Sequence, residues 1–479
     1  MRKYILLACF FPWMMPGQAQ HHGTLQDYSW PSDSLVAHKL RQWQGLKLGL
    51  MMHWGPYSQW GIVESWSLCP EDEPWCQRRG PHAENWCEYV QAYEGLQRTF
   101  NPVQFDPDKW AAAAQAAGMK YVVFTTKHHD GFSMFDTEQT DYKITSPNTP
   151  FSSHPRSNIA QEIFQAFRAR GLWAGAYFSK PDWNSKDYWW PYFPPKDRNT
   201  SYDPARYPER WERFKRFTHL QIQELMENYG RLDILWLDGG WVRPLSSIDT
   251  AVSWQASIPY EQDIDLPALA AMSRARQPGL LIVDRTVSGE FENYVTPEQQ
   301  VPDQYLPYPW ESCITMGDSW SYVPNDRYKP AATLIRLLTD IVSRGGNLLL
   351  NIAPGPDGEW DEVAYERLRE IGQWLQVNGE AIFHTHGESR YGPQGNWVFT
   401  LAENATYAIY RAAEQEPAPP AEMRIPALEL TPGSAIRMLG SEQPLPWQQD
   451  GQSIAITIPN SLRAQPPCRY AWALKITAP

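Results

Sequence analysis

Leu232-Asp233-Ile234-Leu235-Trp236-Leu237-Asp238-Gly239-Gly240-Trp241 reads as a short buried strand that ends on a carboxylate and turns between two tryptophans. A strand of Ile, Leu and Trp needs no aspartate for its own stability. An ionised carboxylate beside aromatic walls is costly to bury unless it is paired or hydrogen-bonded. Asp238 is therefore a candidate for chemistry, and the flanking indoles point to a sugar. The bland alternative is an Asp that caps the next element.

The pattern around this strand repeats. A helix over 208–228 and Gly230 precede it, and a helix over 266–276, Gly279 and a strand over 280–283 follow. Upstream lie a strand over 46–53, a helix over 108–117 with a strand over 120–126, and a helix over 159–170 with a strand over 172–178. Downstream, a helix over 332–343 leads through Gly345-Gly346 into a strand over 347–352. Helix stops at Gly and short apolar strands are the punctuation of a parallel α/β chain. Repeated βα units predict an irregular (β/α) TIM-like barrel rather than an open sheet. No Gly-x-Gly-x-x-Gly follows an early strand, so a dinucleotide fold has little support. Residues 20–45 read as a polar lead-in. Past 385 short strands over 397–401, 406–410, 435–439 and 454–458 predict a small antiparallel β-sandwich. The expected division is a leader over 1–19, a catalytic barrel over 20–384 and the sandwich over 385–479.

The length of 479 residues suits such a division. A net charge of −12 argues against a nucleic-acid partner, which calls for basic patches. Arg2, Lys3 and the apolar run 4–15, followed by Gly17-Gln18-Ala19, have the form of a cleaved secretory leader. A periplasmic or secreted location follows. Leu6-Leu7-Ala8-Cys9 has the look of a lipoprotein box, but only a handful of residues precede Cys9, so cleavage is preferred. No later segment has the length and apolarity for membrane insertion. Cys69, Cys76 and Cys87 lie close together, and export permits one bridge among them. No Cys-x-x-Cys pair supports zinc.

In a barrel, function sits at the C-terminal strand ends. Those ends carry His53-Trp54-Gly55, Lys127-His128-His129-Asp130-Gly131, Tyr177-Phe178-Ser179, Trp236-Leu237-Asp238 and Asp284-Arg285. Such side chains converging on one face could hydrogen-bond the hydroxyls of one sugar ring. Left without such a partner, many polar groups would go unsatisfied. His128 and His129 are adjacent on a strand end, so their rings are expected to point apart. Neither His-x-His nor His-Glu-x-x-His is present, so no metal is expected.

On these residues the chain resembles the α-L-fucosidases of glycoside hydrolase family 29. The resemblance rests on His53-Trp54-Gly55, Phe100-Asn101-Pro102, Lys127 to Phe132, Ala176 to Ser179, Trp236 to Gly239, Thr296-Pro297-Glu298-Gln299, Trp310-Glu311-Ser312-Cys313, Ser319 to Tyr322 and Gly346 to Asn351. It covers about residues 40–385. It implies a retaining exo-enzyme that removes terminal α-L-fucose from glycans without a cofactor. Asp238 would be the nucleophile. His53, His128 and His129 would bind hydroxyls, and Tyr177, Trp236 and Arg285 would complete the pocket. Trp310, Trp66 and Trp320 would pack against the sugar's apolar side. Glu298 is the first choice for acid/base, with Glu290, Glu292, Glu311 and Glu64 as rivals. The family's Glu-Trp pair is interrupted here as Glu64-Ser65-Trp66, which leaves the placement of both residues open. The alternatives are an α-L-galactosidase on the same scaffold, a carbohydrate-binding protein without catalysis, and a metal hydrolase.

Overall fold

Short runs buried on both faces, apolar in all but β6, form seven parallel strands: β1 Leu48–Met52, β2 Tyr121–Lys127, β3 Trp173–Ser179, β4 Ile234–Asp238, β5 Leu281–Asp284, β6 Glu311–Thr315 and β7 Asn347–Asn351. The computed structural model that shows them describes residues 28–479 apart from 72, 286, 288, 414, 415 and 427. The leader expected over 1–19, with Cys9, lies outside the described residues. The strand order is β5-β4-β3-β2-β1-β7-β6. The helices expected over 208–228 and 266–276 are Pro208–Asn228 and Leu266–Arg276.

Among the described residues no regular eighth strand joins β5 to β6. The segment 292–299 spans that gap instead. Glu292 bridges Val283, Val295 bridges Trp310 and Glu298 bridges Cys313. Asn293 donates its N–H to Ile282 O at 2.9 Å, and Glu311 donates to Val295 O at 2.8 Å. This irregular closure carries Glu298 alongside β6.

The barrel is filled, not hollow. Met51, Val123, Tyr177, Trp236, Val283, Tyr294, Cys313 and Leu349 form one buried cluster with Val36, Leu40 and Trp43. The last three belong to a helix, Ser34–Gln44, where a polar lead-in was expected. Asp33 caps it, accepting from Leu35 N at 2.8 Å and Val36 N at 3.3 Å. Val36, Leu40 and Trp43 recur at helical spacing and so share one face. Trp43 stacks on Tyr294 with ring centroids 3.9 Å apart.

The C-terminal strands are β8 Trp397–Ala402, β9 Ala405–Arg411, β10 Glu422–Ile425, β11 Ala435–Met438, β12 Trp447–Asp450, β13 Ser453–Thr457 and β14 Ala471–Thr477. They make two antiparallel sheets, β11-β14-β9-β8 and β10-β13-β12. β10 shows the alternation that builds them: Glu422 and Arg424 face out, Met423 and Ile425 face in. Trp374 on helix Glu362–Asn378 donates its indole N–H to Ala471 O at 2.9 Å, one tie between sandwich and barrel. Among the described residues, no helix is long and apolar enough to cross a membrane.

Candidate active site

Asp238 ends β4 and is buried. Tyr177 donates its hydroxyl to Asp238 Oδ2 at 2.6 Å, and Arg285 donates Nη1 to Oδ1 at 3.1 Å. His129 Nε2 lies 3.9 Å from Oδ2. Burial pushes this carboxyl up, but the Arg285 charge, His129, the Tyr177 hydroxyl and the Gly239 N–H outweigh it and hold it at about 2. Asp238 is thus an anion throughout the working range of an enzyme. Gly239 turns the chain away behind it at φ +88°, where a Cβ would meet Pro181 Cδ at 2.2 Å.

The same guanidinium reaches a second carboxylate. Arg285 donates Nη2 to Glu298 Oε2 at 2.6 Å, and its face lies 4.7 Å from the Trp236 ring centre. Burial lowers the pKa of Arg285, but the charges of Glu298 and Asp238 raise it further than burial lowers it. The Glu298 side chain is 25% exposed, against 9% for Asp238, so Glu298 is the outer member of the pair.

Three histidines line the pocket. His53 follows β1, and its Nδ1 is held by Asn351 Oδ1 at 2.9 Å. His128 Nδ1 is held by Ser65 Oγ. The rings of His128 and His129 lie 4.2 Å apart and line the same pocket, not opposite sides as expected. The reason is local: the strand register shifts between Thr125 and Lys127, and β2 ends before either histidine. Burial lowers all three, His53 to about 4, His129 to about 3 and His128 well below its ordinary value. They are neutral rings, able to donate and accept with hydroxyls.

Glu64 and Trp66 both face this pocket, so the inserted Ser65 displaces neither. Instead Ser65 opens the short 3-10 turn Ser65–Leu68 and orients His128. Glu64 is buried, and burial first, then the Glu298 charge, pushes its carboxyl up to about 8. Trp66 meets His129 edge-on at 5.2 Å, and Trp320 lies 5.0 Å from His53.

The pocket of about 360 Å³ thus gathers Asp238, Glu298, His53, Glu64, Trp66, His128, His129, Tyr177, Trp236, Arg285 and Trp320. Trp310 is not there. It precedes β6, at the strand's N-terminal end, and its buried indole donates to Arg344 O at 3.2 Å. The expected contact between Trp310 and the sugar is therefore corrected to a packing role. Three rival carboxyls are elsewhere too. Glu290 is exposed and accepts from Ser32. Glu292 is buried in the field of Asp284 and Arg243. Glu311 begins β6 inside the barrel and accepts from the Tyr121 hydroxyl. Only Glu298 and Glu64, of the acid/base candidates, share the pocket with Asp238.

Asn351, Met51 and Cys313 were not anticipated in the site. Asn351 ends β7, so the strand-tip rule that gave His53 would have given it too. Met51 and Cys313 line the pocket from inner barrel positions, where an apolar residue carries no chemical signal. Cys69, Cys76, Cys87, Cys313 and Cys468 are unbridged, although Cys69 and Cys76 are close. Among the described residues, two groups have the side chains of a metal site: His128, His129 and Asp238, and Cys69, Glu71 and Cys76. In each an arginine already occupies the carboxylate, Arg285 on Asp238 at 3.1 Å and Arg198 on Glu71 at 2.7 Å. A divalent cation would have to displace that charge.

A parallel barrel with two carboxylates and a ring of neutral hydroxyl-binding groups at its strand tips is the architecture of a glycoside hydrolase. Comparison with known proteins narrows this. The Alpha-L-fucosidase family profile matches residues 16–380, and the Alpha-L-fucosidase C-terminal domain profile matches 398–477. The chain is 28% identical to human plasma alpha-L-fucosidase, over 95% of this chain and 93% of that one. It is 29% identical to the solved alpha-L-fucosidase isoenzyme 1 of Paenibacillus thiaminolyticus, with TM-score 0.73, over 93% of this chain and 99% of that one. The Thermotoga maritima alpha-fucosidase, solved with a mechanism-based inhibitor, is 25% identical with TM-score 0.71, over 94% and 100% of the two chains. The chain belongs to the α-L-fucosidase family.

Proposed function

We propose that this chain releases terminal α-L-fucose from glycans with retention of configuration, with Asp238 as nucleophile and Glu298 as acid/base. The observation that carries the assignment is the Arg285 fork. One guanidinium bonds both carboxylates, with Asp238 deep in the pocket and Glu298 at its mouth. Retaining enzymes need two carboxyls close enough for one to bond the anomeric carbon while the other protonates the leaving oxygen.

In the first step Asp238 attacks the anomeric carbon as the glycosidic C–O bond breaks. Glu298, protonated, gives its proton to the departing oxygen. In the second step Glu298 takes a proton from water, the water oxygen bonds the anomeric carbon, and Asp238 leaves as a carboxylate. His53, His128, His129 and Glu64 bind ring hydroxyls. Met51, Cys313 and Trp320 offer the C6 methyl an apolar surface, which favours fucose over a sugar with a C6 hydroxyl. The leader over 1–19 supports export to the periplasm or medium, which the N-terminal mass of the mature protein tests.

The activity test is release of 4-nitrophenol from 4-nitrophenyl α-L-fucoside by wild type and Asp238→Ala. The variant is expected to lose roughly a thousandfold or more. Azide should restore turnover by filling the space of the carboxylate, giving a fucosyl azide of inverted configuration. Equal turnover by wild type and variant would sink the nucleophile assignment.

A further inference from the structure

The pocket that holds Asp238 opens outward into a larger cavity of about 970 Å³, against about 360 Å³ for the pocket itself. Glu64, Trp66, Glu298 and Trp320 line both. The two form one cleft with Glu298 at the neck, which is where the leaving oxygen stands in the reaction proposed above. Whatever lies beyond Glu298 is therefore the leaving-group side.

That outer side has its own wall. Trp75 comes from the short turn Pro74–Cys76, Trp254 from the turn Ser253–Ala256 in the long connection after β4, and Trp241 from the loop just past Asp238. Indole faces suit the apolar C–H faces of pyranose rings and bring large contact area at low entropy cost. The charge of the wall is one-sided. Glu64, Glu73 and Glu298 reach the outer cavity, and Arg198 is the one cation among the described residues lining it. Arg198 already donates Nε to Glu71 at 2.7 Å and lies 5.0 Å over Trp66 and 5.4 Å over Trp241. Its charge is spoken for by a carboxylate and two rings, so the cavity has no spare cation for an anionic sugar.

We propose that this outer cavity is a leaving-group subsite for a neutral oligosaccharide of two or more pyranose units, built by Trp75 and Trp254 over the buried Trp241 and guarded against anionic glycans by Glu73. The proposal rests on the fucosidase reading above. If the inner pocket takes one fucose, a cavity between two and three times its volume takes more than one ring. Like charges juxtaposed across an interface repel, so Glu73 disfavours an anionic glycan.

The test compares kcat/KM for α-L-fucosyl fluoride, whose leaving group is too small to reach the outer cavity, with that for a neutral fucosylated trisaccharide and its sialylated counterpart. For Trp75→Ala and Trp254→Ala the ratio of trisaccharide to fluoride kcat/KM is expected to fall at least tenfold. Wild type is expected to prefer the neutral trisaccharide at least tenfold over the sialylated one, and Glu73→Gln to narrow that preference. An unchanged ratio in both tryptophan variants overturns the subsite, as does a wild-type preference for the sialylated glycan. Absence of fluoride turnover by wild type overturns the fucosidase reading itself, and this proposal with it.

Discussion

Tyr177 holds Asp238: its hydroxyl sits 2.6 Å from Oδ2, and its ring stacks on Trp236 at 5.3 Å. The bond goes to a charged acceptor, a class worth about 1.5–3 kcal/mol. Tyr177→Phe should therefore lower kcat/KM on 4-nitrophenyl α-L-fucoside roughly ten- to a hundredfold. The sign for pH is fixed as well. Losing a donor to the ionised form raises the Asp238 pKa from about 2, so the acid limb of kcat/KM should move to higher pH. A pH profile of the variant that superimposes on wild type would show the hydroxyl to be idle.

The three histidines should not titrate where a free imidazole does. Burial places His53 at about 4 and His129 at about 3, with His128 also depressed. All three are neutral from pH 5 upward. The inhibition constant of L-fucose should then be flat between pH 5 and 7. A tenfold change across that range that persists in Glu298→Gln would mean that at least one ring is charged in the free enzyme.

Glu298 and Glu64 can be separated by leaving group. A general acid contributes roughly 10²- to 10⁴-fold, and only where the leaving oxygen needs its proton. Glu298→Gln should cost at least a hundredfold on a fucosylated disaccharide and far less on a 2,4-dinitrophenyl fucoside. Glu64 is held up to about 8, first by burial, and in the proposed reaction its role is to bind sugar as a neutral acid. Glu64→Gln should lower both substrates by similar factors. The reverse pattern would transfer the acid/base role to Glu64.

How far the chain could be read before its structure was known depended on whether a residue stood on a patterned element. Asp238, His53, Tyr177 and Arg285 end or follow apolar runs, so their strand direction and their face of the barrel could be inferred. β6 offered no such run, since Glu311, Ser312 and Thr315 interrupt it. Without that strand there was no way to tell that Trp310 sits at its N-terminal end and Glu298 beside its middle. Glu298 was reachable only through resemblance, because the segment that closes the barrel is irregular. The helix Ser34–Gln44 escaped for a related reason: its three buried residues are a thin stripe in polar sequence. β10 alternates, but over only four residues, and β12 is a four-residue strand with Trp447 as its one apolar position, so neither run is long enough to stand out in sequence.

Trp310 separates packing from binding. Its indole N–H serves Arg344 O, and its ring fills the space over Gly346, where a Cβ would meet it at 2.5 Å. Trp310→Phe removes one of two donors to Arg344 O, the Leu306 N–H remaining at 3.2 Å, and should lower stability by about 0.5–1.5 kcal/mol. KM of the folded variant should stay within a factor of two. An unchanged melting temperature with a raised KM would return Trp310 to the sugar.

Glu311 makes a prediction about pH and stability. It is fully buried in the barrel, and burial pushes its carboxyl from 4.5 to about 8 despite the donors Tyr121, Trp236 and Tyr294 around it. The folded state keeps this proton while the unfolded chain releases it, so from about 4.5 to about 8 the native state binds more protons. Stability must fall as pH rises through that window. Glu311→Gln keeps the shape and cannot ionise. The decline of Tm between pH 5 and 8 should therefore be shallower in the variant than in wild type, and the gap between the two curves should widen toward pH 8. Parallel curves would mean that Glu311 is ionised in the barrel at neutral pH, paired through the field of Arg285.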